Sequence, residues 1–204
     1  MHNGKYVFSQ LLDFLDKDVF LRLANKYNGN RYVKQFTCWN QLAVLMFGQL
    51  LNRESLRDVV LATQVHASKA FHLGFGKHAS KSTLSDANNK RDYRIFEEFA
   101  YRVVAEARAC RADDIFKLGG NVYAFDSTTI ELCLETFQWA LFRKNQRKGG
   151  IKVHTLYDIE TSIPTFFHIT EARVHDMNTM DEIPYEENSF YIFDRGYNDF
   201  KRLH

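Results

Sequence analysis

Apolar positions in the first hundred residues recur at helical spacing. Phe8, Leu11, Leu12 and Leu15 share one helical face. Phe20, Leu21 and Leu23 form a second run that Asp18 can cap and that extends through Lys26. Tyr27-Asn-Gly-Asn-Arg31 stops it, because Gly29 and the asparagines tolerate left-handed backbone. Thr37 can cap a long helix from Cys38 to about Asn52. Ser55 and Asp58, three apart ahead of Val59, Val60 and Leu61, resemble a capping box with Asp in place of the usual Glu. A short polar helix then starts near Ser82, with only Leu84 and Ala87 able to face inward, and a longer one runs from Asp92 to about Cys110.

The period changes after Gly120. Val122 to Phe125 lead into Asp126, and Phe190 to Phe193 lead into Asp194. Short aromatic and β-branched runs bounded by polar residues read as buried strands, so both acids are expected where a strand ends. Ile130 to Leu134 alternates as a further strand. Ile151 to Tyr157 has period two, with Ile151 and Val153 on one side and Lys152 and His154 on the other. Asp158 to Ser162 makes a polar turn, and Ile163 to Thr170 returns as the second arm of a hairpin, with Pro164 tolerated near its start. The polar stretch from His175 to Glu187 holds a short helix, and Arg195 to Phe200 turns into another. The expected fold is α+β: an all-α domain over 1–115, then a mixed sheet with helices over 116–204, divided near Asp113 to Gly120. Strand, hairpin, helix, strand, helix is the order of a ribonuclease H-like sheet, in which the first and fourth strands are neighbours.

Composition adds limits. The chain has 204 residues, 45% hydrophobic and 15% aromatic, enough to build a core. A net charge of +2 permits nucleic acid as a partner without demanding it. Cys38, Cys110 and Cys133 are odd in number and far apart, which fits neither a disulfide framework nor a zinc site and points to a reducing cytoplasm. Asp13, Asp16 and Lys17 interrupt any signal-peptide-like stretch. The longest apolar run, Leu42 to Leu51, is broken by Gly48 and Gln49 and falls short of the roughly 20 residues that cross a bilayer. No membrane association is expected.

Three groups of residues carry candidate chemistry. If the strands before Asp126 and Asp194 are parallel neighbours, the two carboxylates emerge side by side at the carboxyl edge, where α/β sheets bind ligands. Carboxylates that close share a proton or bind a cation. A hard divalent ion, Mg2+ or Mn2+, suits such oxygens. Each acid taken alone could equally cap the next helix. The polar helix would expose Lys81, Thr83, Ser85, Asn88, Asn89 and Arg91, donors suited to phosphates and base edges in a helix-turn-helix-like unit; a merely solvated helix is the alternative. Arg143, Lys144, Arg147 and Lys148 place four positive charges in six residues before Gly149 and Gly150, which suits a phosphate backbone or a solvated basic loop.

The whole set resembles the N-terminal part of a bacterial insertion-sequence transposase of the DDE type, in the IS-four-like branch. The resemblance rests on Ala124-Phe-Asp-Ser-Thr-Thr129, Phe142-Arg143, Gly150-Ile-Lys-Val-His154 with Asp158, Thr170 through His175-Asp176, and Phe193-Asp-Arg-Gly-Tyr197. Gly4 to Phe8, Phe36 to Gln41, Asn52 to Asp58 and Lys81 to Asn88 look like the helical domain that precedes such a core. The resemblance implies three acids binding two divalent metals, with Asp126 first and Asp194 second. It implies strand cleavage at the transposon end, followed by attack of the freed 3′-hydroxyl on target DNA. Arg143, Lys148, Lys152 and His154 would then contact DNA or orient phosphate. The implied partners are double-stranded DNA, as terminal inverted repeats and target, and a second copy on that DNA, in the cytoplasm with the nucleoid. The family's third acid, a glutamate in a Tyr-Arg-Glu-Lys setting, has no position before His204, so the catalytic core is expected to be truncated. An element that only binds transposon ends, and a ribonuclease H-like nuclease with another substrate, are the competing expectations.

Overall fold

Most helices of the first half begin at a residue that satisfies backbone N–H groups with its own side chain. The structure, a computed structural model, describes residues 6–77, 79–110, 120–133, 141–143 and 148–197. The helices are α1 (Val7–Asp13), α2 (Lys17–Lys26), α3 (Cys38–Leu50), α4 (Leu56–Val65), α5 (Lys81–Lys90) and α6 (Arg94–Ala109). Asp16, not Asp18, caps α2: its Oδ1 accepts from Asp18 N and Val19 N at 3.0 and 2.9 Å. Asp18 lies instead in the first turn, where the helix dipole favours an acid. Thr37 closes a full capping box with Asn40 on α3. Ser55 accepts from Asp58 N, but the Asp58 carboxylate takes the Ser55 hydroxyl rather than the cap's backbone, so this is half a box. Ser80 starts α5, accepting from Thr83 N at 3.1 Å, two residues before the expected start.

The chain forms two compact units, Met1–Val103 and Val104–His204. The core of the first is aromatic. Phe20 is fully buried and meets Trp39 and Phe99 nearly edge-on at 5.5 and 5.0 Å. Phe8, Phe47 and Phe75 form a second knot, with Phe47 and Phe75 at 4.9 Å. Such pairs contribute about 0.5–1.5 kcal/mol each beyond area burial. Two glycines are there for room. A Cβ on Gly29 would collide with Ile95 and lie 2.7 Å from Cys38 Sγ, while the left-handed residues of that loop are Asn28, at φ 54, and Tyr32, at φ 60. A Cβ on Gly48 would lie 2.6 Å from Val59 Cγ2, where α3 packs on α4.

The second unit holds β1 (Val122–Cys133), β2 (Leu141–Arg143), β3 (Lys148–Asp158), β4 (Ile163–Glu171) and β5 (Phe190–Phe193). The order β2-β3-β1-β5, with β4 also on β3, makes a mixed sheet. The expected hairpin is present: β3 and β4 are antiparallel from Ile151↔Glu171 to Asp158↔Ile163, with a bulge beside Tyr157↔Pro164. The α+β class therefore holds: helices first, then a mixed sheet consistent with a ribonuclease H-like core. One strand differs from expectation. β1 does not end at Asp126 before a separate strand at Ile130. It is one 12-residue strand, because β3 pairs with it antiparallel from Tyr123↔Asp158 to Cys133↔Lys148 and carries it past the acid.

A 3-10 segment, Asp176–Glu182, lies across one sheet face. Under it Tyr123, Phe125, Leu156, Met180, Ile183 and Tyr197 form the second core. On the alternate positions, Ile130, Ile169 and Ile192 are about half exposed. Lys144, Arg147 and the helix expected after Tyr197 lie outside the described residues, as does most of the expected domain boundary. No helix among the described residues is long and apolar enough to cross a membrane.

Gly48→Ala tests the α3–α4 contact. Overpacking typically costs about 1–3 kcal/mol, against roughly 1 kcal/mol gained in helix propensity. Val59 is buried and β-branched, so it cannot turn aside. The expected result is a net loss of about 1 kcal/mol and a lower thermal midpoint; an unchanged or higher midpoint means the helices are not this close.

Candidate active site

Parallel register brings the two aspartates together. β1 and β5 pair from Val122↔Phe190 to Phe125↔Phe193. The next residue on each chain is Asp126 and Asp194, and neighbouring strands lie about 4.8 Å apart. Both side chains are exposed. Each carboxylate accepts the N–H of the following residue: Ser127 N to Asp126 Oδ1 at 2.7 Å, and Arg195 N to Asp194 Oδ1. Two adjacent, solvent-facing carboxylates match the oxygen ligands a hard divalent cation takes. They supply part of such a site: among the described residues, no group of three or more His, Cys, Asp or Glu side chains is close enough to hold a metal ion.

A third acid, Asp176, belongs to the His175-Asp176 segment, to which the sequence assigns no role of its own. Asp176 opens the 3-10 segment, and its Oδ1 accepts from Lys152 Nζ at 2.9 Å and Ser127 Oγ at 3.1 Å. Burial alone would push the Asp176 carboxyl up. The Lys152 hydrogen bond and charge, the Ser127 hydroxyl and His154 together hold it below the ordinary carboxylate value. The available signal was the alternation of Lys152, His154 and Ser127: all three fall on the covered face, so something on that face had to satisfy them.

Lys152 and His154 do share one side of the sheet, but it is this covered one. Lys152 is mostly buried, with its second hydrogen bond to Val174 O at 3.0 Å. His154 is fully buried, Nε2 lying 2.9 Å from Thr170 Oγ1 and Nδ1 3.2 Å from Thr179 Oγ1. The DNA-contacting role expected of His154 does not fit a ring with no exposed surface. Burial lowers the His154 pKa, with Asp176 pulling the other way. Tyr197 was quoted only as part of a motif. One 3-10 turn after Asp194 returns it to the core, 5.4 Å from Phe125. Burial pushes its phenol up, with the charges of Asp176, Asp126 and Asp194 acting in the same direction. The Ser127 hydroxyl is close enough to pull the other way, but the buried Tyr197 Oη completes no hydrogen bond of ordinary geometry.

In the first unit, α5 exposes Lys81, Thr83, Asn88 and Asn89, while Ser85 is half-buried. Arg91 is not presented to solvent as expected. Its guanidinium donates to Thr37 O at 3.0 Å, to Gln41 Oε1 at 2.7 Å and to Phe36 O, and lies 5.5 Å from the Phe36 ring. Burial lowers its pKa. It ties the end of α5 to the start of α3. Asn88 Oδ1 accepts from Gln41 Nε2 at 2.6 Å in the same network. Arg31, Lys34, Lys77 and Lys90 line a cleft between the 27–36 loop and α5. For Arg143 and Lys148 the backbone alone is described: Arg143 pairs with Lys148 across β2 and β3.

The sheet that carries both acids lies in a stretch similar to transposase DDE domains. Residues 117–204 match the family described as "Transposase DDE domain", and residues 3–76 match "Domain of unknown function (DUF4372)". The chain is 34% identical over 115 residues to "Putative transposase y4zB" of Sinorhizobium fredii, a match covering 56% of this chain and 30% of that protein. The chain thus spans less than a third of that relative's length, at 30%. No solved structure matches it significantly. The chain is thus similar to transposases over its second half, where it matches the transposase DDE domain family, and over the stretch it shares with this relative. Domains of this family act on DNA and generally use divalent metal ions.

Two predictions separate buried from exposed candidates. Arg91→Ala leaves two backbone carbonyls and Gln41 without their donor and costs about 2–3 kcal/mol in urea denaturation, whereas Lys81→Ala stays within about 0.5 kcal/mol. For His154, the unfolded chain takes up a proton first as pH falls below about 6.5, since burial keeps the folded ring neutral. Its contribution is complete above that pH and is lost on acidification towards the lowered folded pKa. His154→Gln should flatten the fall in denaturation midpoint between pH 7.5 and 5.5; an equal fall in both proteins assigns the slope to other groups.

Proposed function

We propose that the chain is the DNA-cutting and strand-transferring part of a transposase, with Asp126 and Asp194 as two ligands of divalent cations, Mg2+ or Mn2+. The observation that carries this reading is the parallel β1–β5 register, which makes the two aspartates neighbours at one sheet edge. Asp126 and Asp194 would hold such cations, which would supply charge neutralisation for an in-line displacement at phosphorus. The chain's own part is positional. Ser127 and Arg195 N–H groups fix the two carboxylates. The exposed edge leaves room for a phosphodiester.

We assign substrate contact to residues 1–115 and the cutting core to 116–204. Lys81, Thr83, Ser85 and Asn88 on α5 and the Arg143, Lys144, Arg147 and Lys148 segment are the proposed DNA contacts. Double-stranded terminal repeats and target DNA are the substrates, with a second copy of the chain on the same DNA and residence at the nucleoid. The absence of a three-residue metal cluster among the described residues favours a second reading, in which the chain occupies transposon ends without cutting them.

The test is a nicking assay on end DNA with Mn2+. Asp126→Asn and Asp194→Asn should each reduce cleavage at least a hundredfold while leaving end binding intact; cleavage surviving either change refutes the assignment. Binding that ignores a chelator, falls steeply with salt and never leads to cleavage establishes the second reading instead.

A further inference from the structure

We infer that Asp176, held by Lys152, is a positioning residue that sets the Asp126 carboxylate through Ser127. This rests on Asp126 being a metal ligand. Along β1, Ser127 falls on the covered sheet face and Asp126 on the other, and the peptide that joins them lies in the sheet between. On the covered face the Ser127 hydroxyl donates to Asp176 Oδ1 at 3.1 Å. From the strand backbone its N–H donates to Asp126 Oδ1 at 2.7 Å. Fixing the serine side chain therefore fixes the donor that orients the first acid.

Asp176 is anchored in turn. Lys152 donates to its Oδ1 at 2.9 Å and to Val174 O at 3.0 Å, holding both the carboxylate and the backbone that leads to it. Thr179 Oγ1 donates to Asp176 O and meets His154 Nδ1 at 3.2 Å. His154 Nε2 meets Thr170 on β4 at 2.9 Å. Met180 and Ile183 already pin the 3-10 segment by apolar packing. A mostly buried lysine–carboxylate pair adds little stability over apolar packing, because desolvation offsets its attraction. Its geometry is better accounted for by what it orients: partners behind a metal ligand fix that ligand's direction, and their loss typically weakens metal binding about 10- to 100-fold.

The experiment uses the 204-residue chain and two readouts. The first, without metal, is the amide proton of residue 127 by NMR in wild type, Asp176→Ala and Asp181→Asn, the last a control acid on the same segment. The second is Mn2+ affinity by electron paramagnetic resonance in these proteins and in Ser127→Ala, which removes the relay but keeps the Lys152–Asp176 pair. The expected result is an upfield move of the 127 amide in Asp176→Ala but not in Asp181→Asn. Mn2+ affinity should fall about tenfold in Asp176→Ala and Ser127→Ala, with the Ser127→Ala thermal midpoint unchanged. A 127 amide that stays in place in Asp176→Ala overturns the relay. So does a normal Mn2+ affinity in Ser127→Ala, which is the result for a purely structural role and is readable even if Asp176→Ala does not fold. If wild type itself binds no Mn2+, the reading of Asp126 as a ligand fails, and the amide shift alone decides whether Asp176 orients it.

Discussion

Four parallel residue pairs between β1 and β5 are the constraint on which the rest of this site depends. A one-residue slip would reverse every side chain's face and set an aspartate beside an aromatic ring. β1 cannot absorb such a slip, since it is fixed by an unbroken antiparallel register with β3. β5 must therefore be keyed by its own side chains. Tyr123 stacks on Tyr191 at 5.3 Å, and Phe125 meets Phe193 at 6.0 Å. These contacts sit one and three residues before the acids, so the packing that selects the register also sets the spacing of the carboxylates.

The two units solve burial differently. The first fills its interior with rings and opens room for close helix contact at Gly29 and Gly48. The second covers one sheet face with a 3-10 segment that brings polar atoms with it. Those atoms are satisfied in a chain running Thr170, His154, Thr179 and Asp176, with Lys152 and Ser127 joining at the carboxylate. Buried polar groups left unpaired cost about 1–3 kcal/mol each, so such a network holds its members to one arrangement.

Much of this was legible in the sequence. Period-two alternation gave the hairpin and the shared side of Lys152 and His154, and the matched apolar runs gave Asp126 and Asp194 as strand neighbours. What alternation cannot say is which face is covered. Lys152 and His154 read as DNA-facing for that reason, and only the position of residues 176–182 turns them inward. Asp176 sits in a polar stretch with no periodicity, so no local pattern singled it out. Arg91 failed for a related reason: the end of a polar helix reads as solvated, while its partners, two carbonyls and Gln41, lie some fifty residues away. Asp126 read as a strand end because polar residues bound its apolar run; pairing with β3 overrides that local preference.

The second acid rides on the shortest hold in this part of the sheet. β5 is four residues long and, among the described residues, is paired with β1 alone, with Phe190 and Ile192 about half exposed. Short strands with exposed backbone open more often than the body of a fold. The carboxylate pair is complete only while β5 is docked. Anything that bridges the two acids would act as a clasp on that strand, and slower hydrogen exchange at Tyr191 and Ile192 would register its arrival before any chemistry began.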